Sequence, residues 1–258
     1  TVVSGLIDAT IYTFKVEAGD AEGNWSTDGP STTVTTLDES APTWPAGSVV
    51  AAADITETSM TLTWTEADDN VAVTNYLIYQ DAVEIASVPA SVLSYGVTGL
   101  SPASTYTFRV EAQDGSGHIS SGGPTVTAST VDLTSPVWPS GSTLTASDVG
   151  ATSLTLTWTA ASDNVGVETY TIFQDGIALA TVAGSTLSYA VTALAPYTEY
   201  SFKVETSDAA GNISYDGPFV TVQTERLPGV PYWPEDAMLY ANFVQPTSLQ
   251  LNWTPAID

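Results

Sequence analysis

Asp132-Leu-Thr-Ser-Pro-Val-Trp138-Pro139, then Leu154-Thr-Leu-Thr-Trp158, then Asp163-Asn164-Val165, is a pattern that the chain uses more than once. It stands 94 residues upstream (38 to 132) as Asp38-Glu-Ser-Ala-Pro-Thr-Trp44-Pro45, Leu62-Thr-Trp64 and Asp69-Asn70-Val71. A drifted third copy runs from Pro231-Tyr-Trp233-Pro234 through Leu251-Asn-Trp253 to Asp258. That period is the size of a domain rather than of a solenoid repeat. The chain is therefore a row of like modules, and function has to be sought in the module and in its joints.

Within each copy the apolar residues alternate with polar ones and are bounded by Gly, Pro, Ser, Asn and Asp clusters. Such alternation predicts short antiparallel strands, and no dozen residues carry a helical period. In the copy starting at Asp132 the expected strands are A over 142–147, B over 153–159, C over 168–174, C′ over 177–182, E over 187–194, F over 199–207 and G over 219–224. Asp175-Gly176 marks a tight turn between C and C′. Seven strands in one period, with a tryptophan on B, predict an all-β fold of two-sheet sandwiches.

Composition narrows the function. The 258 residues include 29 acidic and four basic ones, for a net charge of −25. Nucleic acid is excluded, since its phosphates need clustered Lys and Arg, and anionic membrane surfaces are disfavoured for the same reason. No apolar run is long enough to insert in a membrane. There is no cysteine, so a small extracellular module would need a staple other than a disulfide. One histidine and no cysteine exclude most nucleophile–base sets, and the many carboxylate pairs have no evident cleft to separate their pKa values, so the expectation is a protein that is not an enzyme.

The chain resembles tandem fibronectin type III domains arranged as beads on a string. The strand-B tryptophans Trp64, Trp158 and Trp253 carry that resemblance, as do the corners Leu100-Ser-Pro102-Ala-Ser-Thr-Tyr106 and Leu194-Ala-Pro196-Tyr-Thr-Glu-Tyr200. Leu6-Ile-Asp-Ala-Thr-Ile-Tyr12 is the same corner without its proline. The Asp-Asn-Val and Asp-x-x-Gly-Asn-x-Ser loops are similar to those of calcium-binding modules in secreted bacterial polysaccharide-degrading enzymes and surface proteins. On this resemblance residues 38–131 and 132–226 are complete seven-stranded, immunoglobulin-like sandwiches. Residues 1–37 are the C-terminal part of one (the end of E, then F and G), and residues 227–258 the N-terminal part of another (A and B).

The resemblance implies that the incoming linker, the BC loop and the FG loop meet at one pole. Asp132, Asp163 and Asp208, with Asn212, would then converge there. Asp38, Asp69 and Asp114 would do the same in the preceding module, as would Asp20 and Asn24 in the first part and Asp258 in the last. Converging carboxylates repel one another unless a cation lies between them, and an oxygen-only donor set suits Ca2+ rather than zinc. The competing reading is that these Asp and Asn residues terminate loops and cap turns. Asp54 and Asp148, at the opposite pole, read as turn residues, with Phe243 in the matching place.

Trp44, Trp138 and Trp233 read as packing residues at the start of strand A, against a sugar-stacking alternative, while Trp25 is the better exposed contact. Lys15, Arg109 and Lys203 share one position on strand F, each two residues before Glu17, Glu111 and Glu205, and read as solvated ion pairs of small worth. Asn24-Trp-Ser26 and Asn212-Ile-Ser214 match the glycosylation triplet.

Two functions stay open. One is an extracellular or cell-surface structural array (a filament, stalk or adhesin) stiffened by calcium at its junctions, whose partners are further copies of the same domain or chain. The other is a spacer or polysaccharide-contacting accessory region of a secreted polysaccharide-degrading enzyme.

Overall fold

A computed structural model describes residues 1–257, and its contacts divide the chain into two compact units, residues 1–132 and 133–258. In the first unit β1 (Ile11–Lys15) and β2 (Ser31–Thr35) form a hairpin. A sandwich follows, built from β3 (Val50–Ala53), β4 (Ser59–Trp64), β5 (Val73–Gln80), β6 (Val83–Pro89), β7 (Ser94–Thr98), β8 (Thr105–Asp114) and β9 (Thr125–Ser129). Its sheets run in the orders β3-β4-β7 and β6-β5-β8-β9. The second unit repeats this with β10 (Leu144–Ser147), β11 (Leu154–Trp158), β12 (Val167–Gln174), β13 (Ile177–Ala183), β14 (Ser188–Val191), β15 (Glu199–Asp208), the short β16 (Ile213–Ser214) and β17 (Phe219–Gln223). Here the orders are β10-β11-β14 and β13-β12-β15-β16, with β17 also on β15. A hairpin of β18 (Leu239–Gln245) and β19 (Ser248–Trp253) ends the unit. Every strand pair is antiparallel, as the period-two pattern requires. Strands A to G of the second sandwich are thus β10 to β15 and β17, and the sequence expectation misses only β16.

Alternation puts Leu154, Leu156 and Trp158 on the inner face of β11, where they are 2%, 0% and 4% exposed. Opposite them lie Tyr170, Ile172, Phe202 and Val204, all buried. Tyr170 sits between the two tryptophans, its ring 5.7 Å from Trp138 and 5.6 Å from Trp158. Trp44, Tyr76 and Trp64 form the same trio in the first sandwich. Trp64, Trp138 and Trp158 are core residues and the half-buried Trp44 packs against the core of the first sandwich, whereas Trp233, expected to pack likewise, is 56% exposed. Trp253 is 61% exposed on its hairpin, because among the described residues no second sheet faces it.

The corner motif closes in all three copies. The hydroxyl of Tyr106 accepts the Ser101 amide, and that of Tyr200 the Ala195 amide, each at 2.8 Å. Tyr12 accepts the Ile7 amide at the same distance, so the corner does not need its proline. At the AB turns Asp54, Asp148 and Phe243 all hold left-handed backbone, with φ of 50°, 48° and 49°, which agrees with their reading as turn residues.

Buried tryptophan to alanine costs about 3–5 kcal/mol, so Trp158→Ala should unfold its sandwich at a much lower denaturant concentration than wild type. An unchanged urea midpoint would contradict this packing. The two C–C′ turns supply a milder test. Asp175-Gly176 has φ of 50° and 79°, whereas the matching Asp81-Ala82 has 48° and 71°. Alanine bears a steric cost there that glycine does not. Ala82→Gly should therefore stabilise the first sandwich by about 1 kcal/mol, seen as a rise in its Tm.

Candidate metal centre

The core fixes the loop that carries the first acid. The Tyr170 hydroxyl accepts the amide of Ala161 at 2.9 Å, and Val137 and Ser162 exchange two backbone hydrogen bonds of 2.8 and 2.9 Å. The BC loop is thereby pinned to strand C on one side and to the peptide entering the sandwich on the other. Asp163 follows directly. Its Oδ1 accepts the amides of Val165 and Gly166, both at 2.9 Å, while its Oδ2 is buried without a hydrogen-bond partner.

Asp208 ends β15 and opens the FG loop. Its Oδ1 accepts the Asn212 amide at 2.9 Å and its Oδ2 the Asn212 Nδ2 at 2.7 Å, and the residue is 4% exposed. Asp132, on the peptide that runs into the sandwich, is 7% exposed. Asp132, Asp163 and Asp208 each place a carboxylate oxygen within 4.8 Å of the others'. Among the described residues no basic side chain pairs with Asp163 or Asp208. Oxygen donors at this spacing fit a hard cation of flexible coordination, and three clustered negative charges favour one. Asn212 belongs to the cluster by holding Asp208.

The first sandwich shares the loops but not the trio. Asp69 repeats Asp163: its Oδ2 accepts the amides of Val71 and Ala72, and its Oδ1 is buried and unpartnered. Asp114, however, is engaged: its Oδ2 lies 2.9 Å from His118 Nδ1, and its Oδ1 accepts the amides of Ser116 and His118. Asp38 accepts Asn70 Nδ2 at 3.1 Å, and Asn70 also reaches Asp8, whose Oδ2 takes the Ser40 hydroxyl. Among the described residues Asp38, Asp69 and Asp114 do not gather at the spacing of the other three. Asp20 accepts both the amide and Nδ2 of Asn24 in an exposed loop, and among the described residues it joins no cluster of three carboxylates. Asp258 lies outside the described residues.

Sequence reasoning missed one buried group. Glu111 is 2% exposed, not solvated. It accepts the Ser120 hydroxyl at 2.6 Å and the Gly123 amide, and pairs with Arg109 at 3.1 Å. Ser120 in turn accepts Trp44 Nε1 at 3.0 Å. The carboxylate braces the FG loop because a buried charge needs several donors. The signal was available: Glu17 has Ser26 and Gly29 at the same offsets and bonds both. Glu205 is shallower, and Lys203 reaches it at 2.7 Å. Trp25 is 69% exposed. Arg226, 94 residues after Asp132, lays its guanidinium over the rings of Tyr197 and Tyr232, 3.2 and 4.0 Å from their centroids.

Burial alone would raise the Asp208 carboxyl. The hydrogen bonds from the Asn212 side chain and from backbone amides outweigh it and hold the group below the usual carboxylate range. A depressed carboxyl contributes stability that is complete above the unfolded value, near pH 4, and is lost as pH falls through the folded one. Following the Asp208 carboxyl by NMR as pH is lowered should give a midpoint below the ordinary value, moving up in Asn212→Ala. A midpoint that stays in place would show that Asn212 is not what holds it down.

Among the described residues His118 pairs with Asp114, and no hydroxyl is hydrogen-bonded to its ring. The relatives of the chain nevertheless include enzymes. Chitinase A1 of Niallia circulans is 37% identical over 78% of this chain and 29% of its own length. Exoglucanase B of Cellulomonas fimi is 33% identical over 87% of the chain and 21% of itself, and exoglucanase A of that organism 38% over 83% and 26%. The chain thus spans less than a third of each of these relatives. The fibronectin type III domain model matches residues 40–127 and 138–221, the two sandwiches with their buried tryptophans and tyrosine corners. The chain belongs to the fibronectin type III domain family.

Proposed function

We propose that these modules are a non-catalytic, extracellular accessory region of a polysaccharide-degrading enzyme, separating or presenting its other domains. The observation that carries this reading is the similarity to one chitinase and two exoglucanases over about four-fifths of this chain but under a third of each enzyme. The reading is preferred to a surface filament or adhesin because these relatives are enzymes. Sequencing outward from the modules decides between them. An adjoining hydrolase domain is expected, and deleting residues 38–226 from that protein should leave hydrolysis of a soluble substrate unchanged while slowing attack on insoluble polymer. Further copies of the module with no hydrolase would overturn the reading.

We also propose that Asp132, Asp163 and Asp208 hold a calcium ion, which ties the linker peptide to the module it enters. In support stand the buried, unpartnered Oδ2 of Asp163, the oxygen-only donors, and a cysteine-free chain with no disulfide to stabilise it. An ion that binds only the folded state adds about 2.7 kcal/mol at a hundredfold excess over Kd. Calorimetry in calcium and in chelator should therefore give separated melts, with the difference abolished in Asp163→Asn. Coincident melts at millimolar free calcium would exclude the ion.

A further inference from the structure

The second sandwich carries aromatic residues that its fold does not need. On the outer face of its larger sheet Phe173, Lys203 and Phe219 are direct cross-strand neighbours on β12, β15 and β17. The matching row of the first sandwich is Tyr79, Arg109 and Thr125, and the β1–β2 hairpin has Lys15 beside Ser31. Tyr215, next to this row, stands where the other copies have Ser121 and Thr27. Phe219 is 77% exposed and Tyr215 67%. Since the same fold forms with Thr and Ser at these places, packing does not account for the rings, and an exposed aromatic cluster marks a contact.

The row borders an open groove of about 370 Å3, lined by Phe173, Gly176, Ser201, Lys203, Glu205 and Phe219. That volume lies within the range of small-ligand clefts, roughly 300–1,000 Å3. In the first sandwich Arg109 lies over the Tyr79 ring, 4.7 Å from its centroid. Here the Lys203 ammonium turns instead to Glu205 and to the Tyr215 carbonyl, both at 2.7 Å. Among the described residues no cation covers Phe173. Two strand spacings put Phe173 and Phe219 about 9.5 Å apart, a separation suited to two rings along one extended sugar chain. Sugar rings present C–H faces that stack on aromatic rings, and rim hydroxyls that Ser201, Lys203 and Glu205 can bond. Lys203 and Glu205 neutralise each other, and the chain as a whole repels anions.

We propose that this groove binds a neutral polysaccharide chain, stacked on Phe219 and Phe173 and flanked by Tyr215. The proposal rests on the accessory-region reading and gives that region a contact with polymer. A protein partner is the weaker fit, because the patch is one short row against the roughly 800 Å2 that a stable interface covers on each side.

The test is affinity electrophoresis of the 258-residue chain in gels holding a soluble glucan, with a chitin oligosaccharide titrated calorimetrically in parallel. Phe219→Thr and Tyr215→Ser restore residues that the first sandwich already uses, so folding is kept, and circular dichroism confirms it. Binding of one of the two saccharides is expected, weakened about tenfold or more in the double variant, which is 1.4 kcal/mol or more, and unaltered by Trp25→Ala. Binding of neither saccharide, or wild-type affinity in the double variant, would overturn the proposal. So would light scattering showing self-association that Phe219→Thr abolishes, which would make the row a protein contact. None of these results touches the accessory reading, which fails only if no hydrolase domain adjoins the modules.

Discussion

Tyrosine held between two tryptophans is the contact on which each sandwich turns. Trp138 arrives from the linker, Trp158 from strand B and Tyr170 from strand C, so one aromatic cluster joins the way into the module to both of its sheets. The tyrosine hydroxyl reaches past the core to the Ala161 amide. Hydrophobic burial, which is undirected, is thereby converted into a fixed loop position. The backbone exchange between Val137 and Ser162 then orients the peptide that carries the acids. Shortening the tyrosine by its hydroxyl would leave the core nearly intact and free the loop, which separates stability from site geometry.

The acids follow from that scaffold by local rules. Asp163 and Asp69 each turn one oxygen to two backbone amides, the ordinary behaviour of aspartate in a turn. The loop-terminating and the metal-ligating readings of these residues are therefore compatible: the oxygen that makes the turn is not the one left buried without a partner. Among the differences between the two FG loops, the one at His118 and Asn212 touches the carboxylate directly. Asn212 gives Asp208 a neutral donor, whereas His118 gives Asp114 a ring that can carry charge.

Most of the fold was legible because it is local and repeated. The 94-residue period, the alternation along β11 and β15 and the Asp-Gly turn each depend on neighbours a few residues apart. The convergence of Asp132, Asp163 and Asp208 was legible through the pole that the resemblance implied. What escaped depends on register or on burial of a polar group. Nothing in Glu111 itself distinguishes it from Glu205, yet the depth of its strand position and the donors of the FG loop make one a fully buried brace and the other a shallower partner of lysine. That Asp38, Asp69 and Asp114 do not form a second trio was hidden for a related reason. Which atom satisfies Asp114 is decided by His118 four residues on, in a loop whose geometry composition does not reveal. The aromatic row was invisible as well, because Phe173 and Phe219 are 46 residues apart (173 to 219) and become near neighbours only through Lys203.

Arg226 shows how a repeat can change its chemistry at one point. It stands one residue before Leu227, which matches Asp38 and Asp132 when the copies are aligned on Trp44, Trp138 and Trp233, and it lies over Tyr197 and Tyr232. There the chain supplies a permanent positive charge of its own, seated on aromatic faces where a small inorganic ion would gain little. Successive links in such a chain would answer to different solution conditions. A divalent ion at Asp132, as proposed, would make that link depend on divalent cations in solution, whereas the contact of Arg226 with its two tyrosines needs none.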